Sequence, residues 1–271
     1  MTDDFQDVII EKGLAALGTD RVADYVAHVY CDRGRCEFVF NEKPFALCAG
    51  DCAIFTITKM VFDVKPSDDF EATAIYVHNT FLILSAPESN YGAKGVMSLY
   101  HNPIMQLDEA HQKVCKNDFQ MVEYRFQDTQ HHFYKEALSS ALRTLFLDYF
   151  DFHVRINSGE KSFSDTQTSL VMQFLGLLEG GEYKTHRDLG HYADLLCVTA
   201  KHLSFICKKV SGLPANYWIN RFTIIDIQRR LKDPSSTLTQ IVDEFHFSSQ
   251  AYFSRYVYNL LGKYPSEFRE K

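Results

Sequence analysis

The sequence contains no apolar run that approaches the roughly 18 consecutive residues needed to cross a bilayer. Its start, Met1-Thr2-Asp3-Asp4, is acidic and is not followed by the continuous apolar stretch of a secretory signal. With 46% hydrophobic and 23% charged residues, the composition is not that of a disordered chain. We therefore expect a soluble, cytoplasmic protein with no membrane partner, and its 271 residues suffice for two domains.

Regular cysteine spacing is also lacking. Seven cysteines, an odd number, are spread through the chain, as expected for reduced thiols rather than for a disulfide framework. Cys31, Cys36, Cys48 and Cys52 have the spacing C-x4-C-x11-C-x3-C, which is irregular for a zinc site. We predict neither a bound metal nor a cofactor.

Catalytic signatures are missing as well. The sequence shows no glycine-rich phosphate loop, no Ser/His/Asp signature in context and no H-E-x-x-H zinc helix. We therefore predict that the protein is not an enzyme.

The charge is unevenly divided. Residues 181–271 carry 13 Lys and Arg against 9 Asp and Glu, a net charge of +4, while residues 1–180 carry 15 against 26, a net charge of −11. A basic segment beside an acidic one is typical of a protein that meets a polyanion with one part only. Solvated helix faces produce a similar excess, so charge alone leaves both interpretations open.

Residues 25–126 are typical of an all-β domain. Short apolar runs at 53–58, 60–64, 72–77 and 81–84 have roughly the spacing of an antiparallel sandwich or barrel. Residues 38–47, with a turn at 41–44, predict a β-hairpin. Aromatic side chains of this part are expected mainly in its core: Phe38, Phe40, Phe45, Phe55 and Tyr76.

Two helices follow, since the apolar residues change to a 3.6-residue period. The first has an apolar side between Tyr134 and Phe152, the second spans about 165–179, and residues 157–162 form the turn between them. Their apolar faces pack either on the β domain or against a second copy, and we favour the dimer. Two glycines at 180 and 181 end the second helix. The predicted domain bounds are 1–132, 133–180 for the linker helices and 181–271.

The last ninety residues contain an internal repeat. The apolar set Leu189, Ala193 and Leu196 recurs 49 residues later as Leu238, Val242 and Phe245. The set Leu203, Ile206, Cys207 and Val210 recurs 50 residues later as Phe253, Tyr256, Val257 and Leu260. Gly212 and Gly262 are also 50 residues apart. Each half predicts two short amphipathic helices joined by a tight turn and ended by a glycine, which is the helix-turn-helix layout.

A longer helix from Tyr217 to Leu231 separates the two predicted units. At 1.5 Å per residue it is about 22 Å long. Major grooves on one face of B-DNA lie about 34 Å apart, so two units bridged by such a helix could occupy neighbouring grooves. The repeat thus predicts double-stranded DNA as a partner, the alternative being a helical bundle without a ligand.

Two stretches, YADLLCVTAKHLSFICKKVSG and IVDEFHFSSQAYFSRYVYNLLGKYPSEFR, resemble the DNA-binding domain of AraC/XylS-type bacterial transcription regulators. The second carries the specific matches: Phe247, Tyr252 to Arg255, Gly262, Pro265 and Phe268-Arg269. The likeness covers about residues 170–271. It implies an α+β chain with an N-terminal cupin-like β-barrel that binds a small organic effector or dimerises. It also implies a homodimer and RNA polymerase as partners.

The sequence departs from the family pattern at four positions. His246 stands where glycine is usual, and a positive φ there would be strained, so we expect a slightly different turn. Thr223 replaces a basic residue, which removes a phosphate contact, and Ile227 replaces a small one. Phe205 stands where arginine is common, which shifts readout towards a thymine methyl group.

In each unit, turning the apolar positions inwards leaves a few side chains for DNA. The resemblance implies that Lys201, Ser204 and Phe205 approach bases, that Lys208 and Lys209 lie nearer the phosphates, and that the second unit uses Gln250, Ala251, Ser254 and Arg255. Arg255 can pair with guanine and Gln250 with adenine. The alternative for Arg255 is an ion pair that holds two helices together.

These observations predict a sequence-specific DNA-binding transcription regulator. One alternative is a cupin-like enzyme with a helical appendage, which the absence of paired His-x-His and Glu metal ligands disfavours. The other is a protein-interaction module that has lost DNA binding. It predicts no salt-dependent association with DNA, whereas the regulator predicts an affinity that falls steeply as salt rises.

Overall fold

The computed structural model describes residues 6–87, 98–100, 102–156, 165–211 and 213–268, the side chain of Asp165 excepted. The chain forms two compact units, Met1–Ser162 and Phe163–Lys271. The first combines antiparallel sheets with helices, and the second is helical wherever it has regular structure, which confirms the predicted α+β class. Along the described ranges, no helix is both long and apolar enough to cross a membrane.

The strands of the first unit form two antiparallel sheets. Their bounds are β1 Val8–Lys12, β2 Tyr25–Arg33, β3 Arg35–Phe40, β4 Lys43–Cys48, β5 Cys52–Phe55, β6 Val61–Pro66, β7 Glu71–His78 and β8 Ile104–Met105. The larger sheet has the order β1-β7-β2-β5-β8 and the smaller one β4-β3-β6. All their pairings are antiparallel.

The predicted hairpin is confirmed as β3 and β4. Its turn consists of Asn41 and Glu42, both with positive φ, 47° and 67°, the backbone that matches the twist of a two-residue hairpin. Pro44 lies on β4, an edge strand of the smaller sheet, where its missing N–H is tolerated.

Aromatic side chains fill part of the N-terminal core, as predicted. Phe38 and Phe40 make edge-to-face contacts with Phe55, with centroids 5.2 and 5.6 Å apart. All three are buried, as is Tyr76. Phe45 is only half-buried and stacks on Phe38.

The prediction that residues 25–126 are all β is wrong in two places. Residues 81–84, predicted as a strand, belong to helix α1, Asn79–Ser85, and a further helix, α2, spans Glu109–Gln127. The apolar run of α1 is too short for its period to separate helix from strand. In α2, Val114 and Met121 are exposed apolar residues, so they obscure its buried face.

Helix α3, Tyr134–Ile156, packs its apolar side on the first unit. Residues from Leu138 to Phe152 on this side are buried in one core cluster with residues of α2 and of β2, β5 and β7. The expectation that this face forms the dimer interface is therefore wrong. β2 is buried along most of its length, because the helices cover the outer face of the larger sheet.

Helix α4, Asp165–Glu179, belongs to the second unit. Its buried residues Val171, Phe174, Leu175 and Leu178 pack with helices α6 and α7, defined below. The two predicted linker helices thus lie in different units. The predicted turn at 157–162 falls outside the described residues.

The second unit continues with helices α5 Leu189–Leu195, α6 Ala200–Ser211, α7 Ala215–Lys232, α8 Leu238–Glu244 and α9 Gln250–Leu261. Short 3₁₀ turns stand at Glu182–Lys184 and Pro265–Phe268. Each helix of the two predicted helix-turn-helix units is present.

Candidate nucleic-acid interface

The internal repeat is a structural duplication. Helices α5 and α8 have seven residues each and begin 49 residues apart, while α6 and α9 have twelve residues each and begin 50 residues apart. The second turn is therefore one residue longer than the first. All four helices contact α7 or the helix they are joined to.

The first helix of each helix-turn-helix unit begins with a side-chain cap. At the start of α5, Asp188 accepts a hydrogen bond from the His191 N–H, and at the start of α8, Thr237 accepts one from Gln240. These oxygens satisfy backbone donors that lack a partner within the helix.

The second helix of each unit is capped in the same way. Thr199 Oγ1 accepts from the His202 N–H at 3.1 Å, and Ser249 Oγ accepts from the Tyr252 N–H at 3.2 Å. Caps of this kind contribute about 1 kcal/mol each, so both copies specify where their second helix begins.

The two turns begin with the same backbone path. Cys197 and His246 have φ of 54° and 48°. The Val198 N–H donates to the Ala193 carbonyl at 2.9 Å and the Phe247 N–H to the Val242 carbonyl at 3.0 Å, bonds of the kind that end helices at a left-handed residue. His246 therefore keeps the positive φ that glycine would adopt without strain, and the expected change of the turn is not observed.

Outward and inward faces of α6 are clearly separated. Leu203, Ile206, Cys207 and Val210 are buried, as predicted. Lys201, Phe205, Lys208 and Lys209 are exposed and Ser204 is half-buried. Phe205 is 61% exposed, so most of its ring surface faces solvent.

Lys209 has a partner within the second unit. Its Nζ donates to Gln167 Oε1 of α4 at 3.1 Å. A phosphate contact by Lys209 would have to replace this bond, whereas Lys208 has no such competitor among the described residues.

Helix α9 repeats the arrangement. Phe253 and Val257 are buried, Gln250, Ala251 and Arg255 are exposed, and Ser254 is half-buried. Leu260, which the repeat places on the inner face, is exposed. Among the described residues, Arg255 makes neither an ion pair nor a hydrogen bond. Its guanidinium is therefore available to a ligand.

The spacer α7 is hydrogen-bonded to the second helix of each helix-turn-helix unit. On one side, Ser211 Oγ at the end of α6 accepts a hydrogen bond from Trp218 Nε1 at 2.9 Å. On the other, the Tyr256 hydroxyl of α9 donates to Asn220 Oδ1 at 2.9 Å. The sequence pattern does not predict either hydrogen bond, because each joins residues of two different helices.

Thr223 of α7 is fully buried, and its hydroxyl donates to the Ile219 carbonyl at 2.7 Å. It cannot reach a phosphate. The burial of Thr223 is therefore consistent with the expected loss of a phosphate contact at this position. Ile227 is also fully buried.

Part of the positive charge holds the domain together. Arg187 Nη1 donates to the Phe245 carbonyl at 2.7 Å, and its guanidinium lies 4.2 Å from the centre of the Phe247 ring. Burial lowers the pKa of Arg187. Lys184 and Arg230 both bind Glu244, each at 3.1 Å. Sequence reasoning missed these residues, which connect the segment before α5 and the spacer α7 to the end of α8.

A cluster of Glu182, His186 and His191 has ligand atoms within 4.8 Å of one another. His191 Nε2 lies 2.7 Å from Glu182 Oε1, and the two imidazoles stack with centroids 3.8 Å apart. The hydrogen bond connects the 3₁₀ turn before the repeat to α5, so it holds Glu182 and His191 together without an ion. Among the described residues, the four N-terminal cysteines form no comparable group.

Comparison with known families gives one match. Residues 192–271 match the family model described as a helix-turn-helix domain, and they contain the duplicated units described above. The C-terminal unit carries an AraC-type helix-turn-helix domain. This domain places the protein among DNA-binding transcription regulators.

Comparison with solved structures also gives matches that cover most of this chain. ToxT from Vibrio cholerae is 13% identical, with a TM-score of 0.51 and 96% of each chain covered. ToxT of strain SCE256 with a bound unsaturated fatty acid is 13% identical, with a TM-score of 0.48 and 90% of this chain and 86% of that chain covered. The AraC-like transcriptional activator CuxR is 12% identical, with a TM-score of 0.41 and 88% and 82% covered. A search of curated proteins found no match.

Proposed function

We propose that this protein is a sequence-specific transcription regulator in which the AraC-type domain inserts α6 and α9 into major grooves of double-stranded DNA. The observation that carries the proposal is the duplication itself. Two helices with the same length and the same kind of cap have buried inner faces, while outer side chains such as Lys208 and Arg255 have no partner among the described residues. A helix-turn-helix unit exposes its second helix to the major groove in this way.

Each recognition helix supplies its own contacts. On α6, Lys201, Ser204 and Phe205 face bases, with Phe205 on a thymine methyl group, and Lys208 reaches a phosphate. Lys209 reaches one only by giving up Gln167. On α9, Gln250, Ala251, Ser254 and Arg255 face bases, with Arg255 bidentate to guanine and Gln250 to adenine.

The test starts from a site selected from random DNA with the full chain, followed by affinity measurements on that site and on a scrambled one. If Arg255 reads a base, Arg255→Ala costs about 1–3 kcal/mol on the selected site and less on the scrambled one. Arg255→Lys keeps the charge but loses the bidentate geometry, so it shows a similar loss of discrimination.

Lys263→Ala is the charge-matched control. Lys263 is exposed and lies after α9 rather than on it, so its replacement leaves the discrimination unchanged. Equal weakening by Arg255→Ala on both DNAs would make Arg255 a phosphate contact. An affinity independent of salt would contradict DNA binding altogether and favour an interaction module.

The N-terminal unit has the role of a sensor. A small organic effector bound there would shift the protein between DNA-competent and DNA-incompetent states, which requires a different affinity for each. We propose no catalytic activity for it. Contact with RNA polymerase remains an expectation from the family.

The N-terminal unit also offers a surface for a homodimer. Val114, Met121 and Tyr124 of α2 are exposed apolar residues at i, i+7 and i+10, which places them on one side of the helix. A second copy that brings its own α2 would bury this stripe. Met121→Glu should turn a dimer into a monomer in sedimentation experiments, whereas the exposed charge change Glu109→Gln at the helix start should not. If the molecular mass in solution is the same for the wild type and for Met121→Glu, this interface is ruled out.

A further inference from the structure

Glu182, His186 and His191 lie in one cluster of the second unit, outside both recognition helices. Glu182 belongs to the 3₁₀ turn before the repeat, His191 to the first turn of α5, and His186 to the segment between them. One possible ligand atom from each residue lies within 4.8 Å of the other two. Imidazole nitrogens and carboxylate oxygens are donors that Zn²⁺ takes in proteins, so the cluster has the composition of a metal site.

The position of His186 distinguishes this cluster from a simple hydrogen-bonded pair. His191 Nε2 and Glu182 Oε1 are 2.7 Å apart and bind each other directly. His186 Nε2 lies 4.0 Å from the same oxygen, which is too far for a hydrogen bond. Both imidazoles therefore direct Nε2 towards one carboxylate oxygen, although only one of them is bonded to it.

The separations between these atoms suit a tetrahedral ion. Bonds of about 2.0–2.1 Å from zinc to nitrogen and oxygen, at tetrahedral angles, place neighbouring ligand atoms about 3.3 Å apart. The two separations from Glu182 Oε1, 2.7 and 4.0 Å, lie on either side of this value. Small side-chain movements would therefore bring both pairs to the separation that an ion requires.

One larger movement is also needed. The two imidazoles stack with centroids 3.8 Å apart and planes 17° from parallel. An ion bound to Nε2 lies in the plane of the ring, so one ring must turn out of the stack. The side chain of His186 is 50% exposed, against 27% for His191. His186 can therefore turn towards an ion without displacing buried side chains.

The backbone that carries the three side chains is held in place by residues outside the cluster. Arg187 Nη1 donates to the carbonyls of Tyr183 and Lys184, at 3.1 and 2.8 Å. The Tyr192 hydroxyl donates to the His186 carbonyl at 2.8 Å. These bonds fix the segment before any ion binds, and a segment that is already ordered loses less conformational entropy on binding.

We propose that Glu182, His186 and His191 form a binding site for a divalent transition-metal ion such as Zn²⁺, with water in the fourth position. Two imidazoles beside one carboxylate favour such an ion over Mg²⁺ or Ca²⁺, which prefer oxygen ligands. The prediction of no bound metal was drawn from the cysteine spacing, which does not bear on this cluster.

The ligand-bearing segment is connected to the second helix-turn-helix unit as well as to the first. Lys184 pairs with Glu244 at the end of α8, and Arg187 donates to the Phe245 carbonyl. An ion bound to the folded segment, and not to the unfolded chain, would raise the stability of the whole unit. The site thus goes beyond DNA reading and makes the stability of the DNA-binding unit respond to the metal.

The test uses the full chain, stripped of metal with EDTA and kept reduced. Calorimetry with ZnCl₂ should show one ion bound per chain, and MgCl₂ should show none. Co²⁺ serves as the spectroscopic probe, because tetrahedral Co²⁺ absorbs visible light much more strongly than hydrated Co²⁺. Added Zn²⁺ should also raise the midpoint of unfolding measured by Trp218 fluorescence. Absence of zinc binding, or equal binding of Mg²⁺, would overturn the proposal.

His186→Ala is the decisive variant, because the half-exposed His186 side chain makes no hydrogen bond among the described residues. It should weaken zinc binding by more than about tenfold, since loss of even a residue that only supports a ligand costs about that much. The visible Co²⁺ bands should disappear, while the metal-free midpoint stays the same. Glu182→Gln keeps an acceptor for His191 but loses the charge, and it should weaken zinc binding too. An unchanged zinc affinity in His186→Ala would contradict the site.

Two controls cover other possible ligands of the second unit. His202→Ala is the matched control, since His202 is exposed on α6, and Cys197→Ser removes an exposed free thiol. Both variants should bind zinc like the wild type, and a loss of binding in either would assign the ion elsewhere and overturn the proposal. Zinc binding without DNA affinity would contradict only the regulator, whereas DNA binding without zinc binding would contradict only the metal site.

Discussion

Asp118 on α2 provides a direct test of how α2 packs on α3. Burial and the adjacent Asp148 carboxyl of α3 raise the pKa of Asp118 to about 7. Oδ2 of Asp118 is buried and has no donor in reach among the described residues. A proton on Asp118 would supply the missing hydrogen bond between the two carboxyl groups. The folded N-terminal unit therefore holds a proton that the unfolded chain releases near its ordinary pKa of 3.8.

The sign of the pH dependence follows from this proton. Below about pH 4 both states are protonated, and above about pH 7 both are ionised. In between, only the folded state binds the proton, so the free energy of unfolding decreases as the pH rises. The full pKa difference corresponds to about 4 kcal/mol. Because the carboxyl is only half-buried, water screens it, and we expect a decrease of about 2 kcal/mol.

Asp118→Asn should remove this dependence, because the amide is neutral at every pH and can donate to Asp148. We expect the variant to match the wild type at pH 5 and to be about 1–2 kcal/mol more stable at pH 8. Hydrogen exchange of peptides from α2 and α3 measures the local free energy of opening. Trp218, the only tryptophan, lies in the second unit, so its fluorescence should report an unfolding transition that the substitution leaves in place.

Asp151→Asn is the matched control. Asp151 is exposed on α3 and paired with Arg155 at 2.6 Å, so its loss should cost a few tenths of a kcal/mol without changing the pH profile near 7. An Asp118→Asn variant with the same pH slope as the wild type would refute the shared proton.

Two further predictions concern the second unit, and Trp218 fluorescence during denaturation measures both. His246→Gly should stabilise this unit by about 0.5–1 kcal/mol, because relief of the left-handed strain, about 1–2 kcal/mol, exceeds the added entropy of the unfolded glycine, about 0.4–1 kcal/mol. A loss of stability would show that the exposed hydrogen bond between His246 Nδ1 and the Glu244 carbonyl, 3.2 Å long, outweighs this strain. Ser211→Ala should destabilise it by about 1–3 kcal/mol, because Trp218 Nε1 loses this acceptor in a buried site; an unchanged midpoint would contradict the role of Ser211 as the tie between α6 and α7.

The C-terminal helices were predictable because each signal was local. The spacer predicted at 217–231 is Ala215–Lys232, and the helix predicted at 165–179 has those bounds in the structure. A 3.6-residue period, side-chain caps and one buried face all agree along these segments. The hairpin was predictable for the same reason, since its turn residues stand between two alternating runs.

Other features depended on contacts that no period encodes. α2 carries exposed apolar residues beside its buried ones, so its sequence does not show one apolar face. The apolar face of α3 is visible in the sequence, but a sheet and a second copy would bury it equally well. Only the fold shows that the sheet covers it. The ties of Arg187, Ser211 and Tyr256 likewise join residues distant in the chain.

By itself, the sequence determined that the C-terminal part contains two similar helix pairs around a central helix, and which side chains of each pair point outward. Both follow from residue spacing within single helices. Only the tertiary structure decided that the helices at 134–156 and 165–179 join different units, that Arg255 is free while Lys209 is engaged, and that the imidazole of His28 packs on Tyr149 of α3. Each of these depends on which distant residues come together, and hydrophobic burial across the whole unit decides that.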